Sequence, residues 1–132
     1  MTYLDTSIIV PAFAEVHPNH NVCEPLITDP ESITSAHTLA ETFSVLTKVY
    51  KYDSESVAAV LADLPSALRV EPITIADYLD AMTQSKTRRI IGGRIYDALH
   101  LAVARRLKVE HVLTYNVGDF TTVAPDLLIS SP

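Results

Sequence analysis

The sequence predicts an α/β domain in three layers, with helices on both faces of a central, mostly parallel sheet of four to five strands. Three observations predict it. Apolar strand signals alternate with helical ones along the whole chain, and strands separated by helices need crossover connections, hence parallel pairing and burial on both faces. The 132 residues, 48% of them hydrophobic, suffice for one buried core and match the length of one domain. No composition break, internal repeat or low-complexity stretch divides them, so residues 1–132 read as a single domain.

Residues 2–5 form the first strand, and a helix follows through Ile8, Ile9, Ala12 and Phe13. Pro11 is expected in its first turn, where a missing N–H is tolerated. A short helix lies between Asn19 and Thr28, and Ser32–Ser35 is a second strand. A long helix from His37 to Tyr52 carries Leu39, Phe43, Leu46 and Tyr50 at helical spacing. Asp53 is an N-cap for a helix bearing Val57, Val60, Leu61 and Leu64. Arg69–Thr74 alternates as a third strand, and Thr74–Asp77 has capping-box form ahead of the stripe Ile75, Tyr78, Leu79 and Met82. Lys86–Gly93 is a basic connection. The helix Tyr96–Leu107 is polar in its middle only at His100, so it is expected to be buried on most sides. His111–Tyr115 is a fourth strand, Asn116–Asp119 a turn, and Leu127–Ile129 a fifth strand.

Composition excludes several functions. Three glycines form neither a P-loop nor a dinucleotide fingerprint. The single cysteine, Cys23, has no internal disulfide partner, which fits a reducing compartment. No apolar run approaches the roughly 18–20 residues of a membrane span, and the N-terminus lacks the basic start of a signal peptide. A cytoplasmic chain with no membrane attachment is expected. A net charge of −6 argues against gripping nucleic acid by bulk electrostatics alone. It leaves open an enzyme that meets phosphate through bound metal.

In a doubly wound sheet, ligands bind outside the carboxyl ends of the strands. Four carboxylates are expected at that rim. Asp5 closes the first strand, and Glu41 lies in the first turn of the helix leaving the second. Asp97 opens the buried helix, and Asp119 follows the fourth strand. Each has a purely structural reading: an N-cap for Asp5, a solvated residue opposite the apolar stripe for Glu41, a dipole partner for Asp97, an Asx-turn for Asp119. Together they would repel and raise one another's pKa unless a positive charge sat among them. Oxygen ligands without His or Cys select Mg²⁺ or Mn²⁺ over zinc, and such a site suits phosphodiester cleavage.

Four stretches carry a resemblance: Tyr3-Leu4-Asp5-Thr6-Ser7, Ala40-Glu41, Gly92 to His100 with its Tyr96-Asp97-Ala98-Leu99-His100 block, and Leu113 to Phe120 with Asn116-x-x-Asp119-Phe120. In this order they resemble the PIN-domain ribonucleases, specifically the VapC-type toxins of bacterial toxin–antitoxin pairs. The resemblance implies a Mg²⁺-dependent endoribonuclease, with Mn²⁺ as a substitute, silenced by a cognate VapB-type antitoxin and assembled as a homodimer. It implies Asp5 and Asp97 as principal metal ligands, with Glu41 and Asp119 completing the catalytic cluster. Ser7, Thr114 and Asn116 match small polar residues that would bond the carboxylates or the scissile phosphate. Arg94 would meet RNA phosphate or pair with the cluster, and Arg88 and Arg89 are further candidates. Whether the RNA is tRNA, rRNA or mRNA stays open.

Rival readings fit less well. A phosphorylation-receiver domain would want adjacent acids after the first strand, where Thr6 and Ser7 stand, and a haloacid-dehalogenase-type phosphatase would want an acid at Ser7. A catalytically inactive PIN-like binding module would be favoured by a missing acid, and all four are present. His17, His20 and Cys23 read as surface and packing residues, and His100 as a hydrogen-bonded core residue.

Overall fold

The computed structural model describes all 132 residues. Its sheet has five strands, β1 (Thr2–Leu4), β2 (Ser32–Ser35), β3 (Arg69–Glu71), β4 (His111–Leu113) and β5 (Ile129–Ser130), in the order β3-β2-β1-β4-β5. All four pairings are parallel; Tyr3 sits opposite both Ile33 and Val112. Successive residues of β1 and β4 face opposite layers. Tyr3 and Val112 enter one core, and Leu4 and Leu113 enter the other.

The layer holding Leu4 is built from α1 (Thr6–Phe13), α2 (His20–Cys23) with the 3-10 turn Glu24–Thr28, α3 (Ala36–Lys48) and α4 (Ser54–Ala67). The layer holding Tyr3 is built from α5 (Ile75–Thr83), α6 (Arg94–Arg106) and α7 (Val117–Val123). As expected, α6 is buried throughout Ala98–Ala104. Gly92, with φ of +58°, takes the left-handed turn that leads the chain into it. The caps of α4 and α5 also form as read: Asp53 accepts from Ser56 N, and Thr74 and Asp77 close a reciprocal box.

Several boundaries and faces differ from expectation. Pro11 stands in the second turn of α1, not the first, and removes one N–H from its ladder. Helix α3 starts at Ala36 and stops at Lys48 rather than Tyr52, so Glu41 lies in its second turn. The buried face of α3 is Thr38, Thr42 and Leu46, whereas Phe43 is exposed. Thr34 Oγ1 donates to the Leu4 carbonyl and lies 2.8 Å from Thr38 Oγ1, so hydroxyls fill a seam that hydrophobic periodicity cannot register. β3 stops at Glu71, three residues short, and β4 at Leu113. Asn116–Asp119 is not a free turn: Asn116 is the N-cap residue of α7, and Asp119 lies in its first turn.

The largest reversal is α5. Its predicted stripe points outward, with Ile75 79% and Leu79 55% exposed and Tyr78 and Met82 also exposed. The inward face is Asp77 and Ala81. Arg106 of α6 donates from Nε to Asp77 Oδ1 at 2.9 Å and from Nη2 to Oδ2 at 3.0 Å. That forked contact, with Ala81 in the same core as Ala98 and Ala102, rotates α5 so that its apolar side is left uncovered.

Candidate active site

The strand order reverses direction between β1 and β4, which makes their carboxyl ends the switch point of the sheet. Asp5 and Thr114 stand there, one residue beyond each strand. Asp5 caps α1: its Oδ1 accepts from Ser7 N at 3.1 Å and Ser7 Oγ at 2.6 Å, and its Oδ2 accepts from Thr114 Oγ1 at 3.0 Å. Ser7 Oγ in turn accepts from Tyr115 N, and Thr114 Oγ1 from Asn116 N. The capping role is therefore real, and it also fixes the carboxylate at the rim. Burial pushes the Asp5 carboxyl above its ordinary range, against the pull of Ser7, His100 and Thr114.

A cleft of about 520 Å³ opens at this edge, walled by Asp5, Ser7, Glu41, Asp97, His100 and Asn116. Its apolar flank is Val10, Pro11, Val45, Val49 and Tyr50. The Asp97 carboxyl is pushed up to about 6, by burial first and then by Asp5, Asp119 and Glu41, with His100 opposing. Glu41 goes the other way. Burial resists its charge, but hydrogen bonds from His100 and Thr6 and the nearby imidazoles hold its carboxyl below the usual range. Thr6 Oγ1 donates to Glu41 Oε1 at 2.8 Å, and His100 Nε2 lies 2.6 Å from the same oxygen.

Three of the four expected carboxylates thus share one cleft. Asp119 stands beside it, exposed, 3.6 Å from Arg94 in an ion pair. No three of the four come within 4.8 Å of one another; the group that does is His37, Glu41 and His100. Thr114 is fully buried, so it supports Asp5 rather than facing solvent. Arg88 is committed to the Val123 carbonyl and Asp126, while Arg89 is exposed.

Two histidines gain a place at the site that sequence reading did not give them. His100 is a buried, hydrogen-bonded core residue as expected, yet its Nε2 touches Glu41 and its ring lines the cleft. His37 had no role; the signal available was its i, i+4 spacing from Glu41, which puts both on one helix face. Its ring stacks on Tyr96 at 5.3 Å, and burial lowers its pKa. His17 also lines the cleft, and His20 Nδ1 lies 2.9 Å from the Pro11 carbonyl.

An all-parallel α/β/α domain whose carboxylates gather at the switch point defines the class. The chain belongs to the PIN-domain family, whose model matches residues 2–124. No relative of curated function matches the sequence. Among solved structures, the chain is similar to Mycobacterium tuberculosis VapC20, a sarcin-ricin loop cleaving toxin, at 22% identity and a TM-score of 0.79 with both chains fully covered. It is also similar to VapBC2 from Rickettsia felis, bound to a DNA fragment from their promoter (23%, TM-score 0.71, covering 100% of this chain and 99% of that one). FitAcB from Neisseria gonorrhoeae aligns at 20% identity and a TM-score of 0.69, covering 100% and 98%. At these identities the neighbours show a shared fold.

Proposed function

We propose that this chain is a divalent-metal-dependent endoribonuclease of the VapC type, the toxin of a toxin–antitoxin pair. The observation that carries the reading is the convergence of Asp5, Glu41 and Asp97 on one cleft at the switch point, in a PIN domain. The donor set fits a hard cation: it is all oxygen, and two of its carboxyls, Asp5 and Asp97, have pKa values raised first by burial and then by neighbouring carboxylates. A bound Mg²⁺ or Mn²⁺ would polarise the phosphoryl oxygen and lower the pKa of a coordinated water. Asp5 and Asp97 would hold the ion, with Ser7 and Thr114 fixing Asp5. Glu41, kept ionised by His100 and Thr6, would orient the attacking water. Asp119 would act from the edge, and Arg94 and Asn116 would face RNA phosphate.

The uncovered face of α5 suits a homodimer, since exposed apolar patches of this kind mark association surfaces. The apolar flank beside the carboxylates suits an antitoxin segment that lays apolar side chains on Val10, Val45 and Val49 and directs a cation at Asp5 and Asp97. No helix is long and apolar enough to cross a membrane.

The test is cleavage of total cellular RNA by the purified chain, with Mg²⁺ and with chelator, against Asp97→Asn. Cleavage that needs the metal and vanishes in the variant is expected. Undiminished cutting by Asp97→Asn would refute the site, and no cleavage by wild type would favour a binding module. Mapping 5′ ends after induced expression then identifies the RNA.

A further inference from the structure

We propose that His37, Glu41 and His100 form a second metal site at the wall of the cleft, distinct in donor chemistry from the carboxylates Asp5 and Asp97, that takes a borderline cation such as Zn²⁺. The three donor atoms lie within 4.8 Å of one another. His37 Nε2 is 3.5 Å and His100 Nε2 2.6 Å from Glu41 Oε1. Tetrahedral coordination with bonds of about 2.1 Å spaces neighbouring donors about 3.4 Å apart, a value these two contacts straddle. Two imidazoles and one carboxylate, with a fourth position left for water, are a zinc-type donor set, whereas Mg²⁺ prefers oxygen alone.

The surroundings match what a metal-binding histidine needs. The far nitrogen of His100, Nδ1, lies 2.7 Å from the Tyr3 hydroxyl, which fixes the ring. Tyr96 stacks on His37 at an interplanar angle of 13° and fixes the other. The Nε2 of His37 is buried and makes no hydrogen bond, although Glu41 Oε1 lies 3.5 Å away. Access exists from two sides, because Glu41 is the wall common to the main cleft and to a second depression lined by His37, Ala40, Ser44, Val45 and Tyr96.

With its proton on Nε2, the His100 ring donates to Glu41 Oε1 and accepts from the Tyr3 hydroxyl at Nδ1. Coordination requires Nε2 bare, so the proton moves to Nδ1 through solvent and the Tyr3 hydroxyl turns to accept it. The buried Ser35 hydroxyl, itself without a partner, stands beside Tyr3 to receive its hydrogen. Occupancy would draw Glu41 away from the carboxylate cleft and so oppose RNA hydrolysis. That consequence rests on the proposed nuclease reading; the binding does not.

Co²⁺ serves as the spectroscopic probe. Titration of the full chain with Co²⁺ in excess Mg²⁺, which holds the carboxylate cleft, should add one ion per chain with visible bands of nitrogen ligation, displaced by Zn²⁺. His37→Ala should weaken binding by about tenfold or more, as should Tyr3→Phe, which keeps all three ligands and loses only the supporting hydroxyl. Asp97→Asn should bind Co²⁺ like wild type. Binding lost in Asp97→Asn, unchanged in His37→Ala, or absent from wild type would each overturn the site. Loss of Mg²⁺-dependent RNA cleavage in every sample, with the Co²⁺ spectrum intact, would instead count against the nuclease reading alone.

Discussion

The Tyr3 hydroxyl lies 2.7 Å from His100 Nδ1, joining the first strand to a helix 97 residues further along the chain. Both are buried, Tyr3 completely, and their rings meet edge to face at 5.8 Å. His100 passes the contact on to Glu41, so one core hydrogen bond ends at the rim of the cleft.

Tyr3→Phe should therefore fold but lose about 1–3 kcal/mol, because His100 Nδ1 is left buried without a partner. Urea unfolding measures the loss. A stability equal to wild type would mean that this contact contributes nothing net.

Asp97 sets a pH dependence opposite to that of most acidic groups. Its carboxyl pKa is about 6 in the folded protein against 3.8 for the unfolded chain. The folded state thus holds this proton more tightly. Its contribution to stability is whole below 3.8 and is lost as pH climbs through about 6. Asp97→Asn escapes that loss, so without metal its stability should rise relative to wild type across this window. Added Mg²⁺ should stabilise wild type and narrow the gap by mass action. Thermal melts with and without Mg²⁺ across the window check both signs.

Arg106→Met should cost about 1–3 kcal/mol near neutral pH by leaving Asp77 charged, buried and without its forked partner. This figure is kept below that of a fully enclosed pair because the Arg106 side chain is 33% exposed. The Asp77 carboxyl sits below its usual range: burial opposes its charge, but Arg106 and Thr74 outweigh burial. The pair's contribution is present above the ordinary carboxylate pKa and disappears as pH falls below it. Denaturation at neutral and at acidic pH should show the penalty shrinking on acidification.

Leu79→Asp should convert a dimer to a monomer without unfolding it, since Leu79 is 55% exposed on the uncovered side of α5. Light scattering after gel filtration reports the mass. A wild-type protein that is already monomeric would remove the homodimer from the functional reading.

Periodicity works where burial is apolar and fails where it is polar. The alternation of strands and helices, the caps at Asp53 and Thr74 and the burial of α6 were all legible. The inner face of α3 was not, because Thr38 and Thr42 read as polar surface. Nor was that of α5, where the Arg106 fork outweighs a well-formed apolar stripe. Glu41 shows both sides. Sequence order and family resemblance marked it as an acid of interest, while its position on the helix wheel pointed it outward.

By itself the sequence determined the layered fold, the family and the place of Asp5 at the end of the first strand, since these depend on local pattern and chain order. Only the tertiary structure decided that three carboxylates face one cleft while Asp119 pairs with Arg94, and that two histidines close on Glu41. Those outcomes depend on how α3 and α6 face the sheet. The Thr34–Thr38 hydroxyl seam seats α3 and the Tyr3–His100 contact seats α6, and the latter joins residues far apart in the chain.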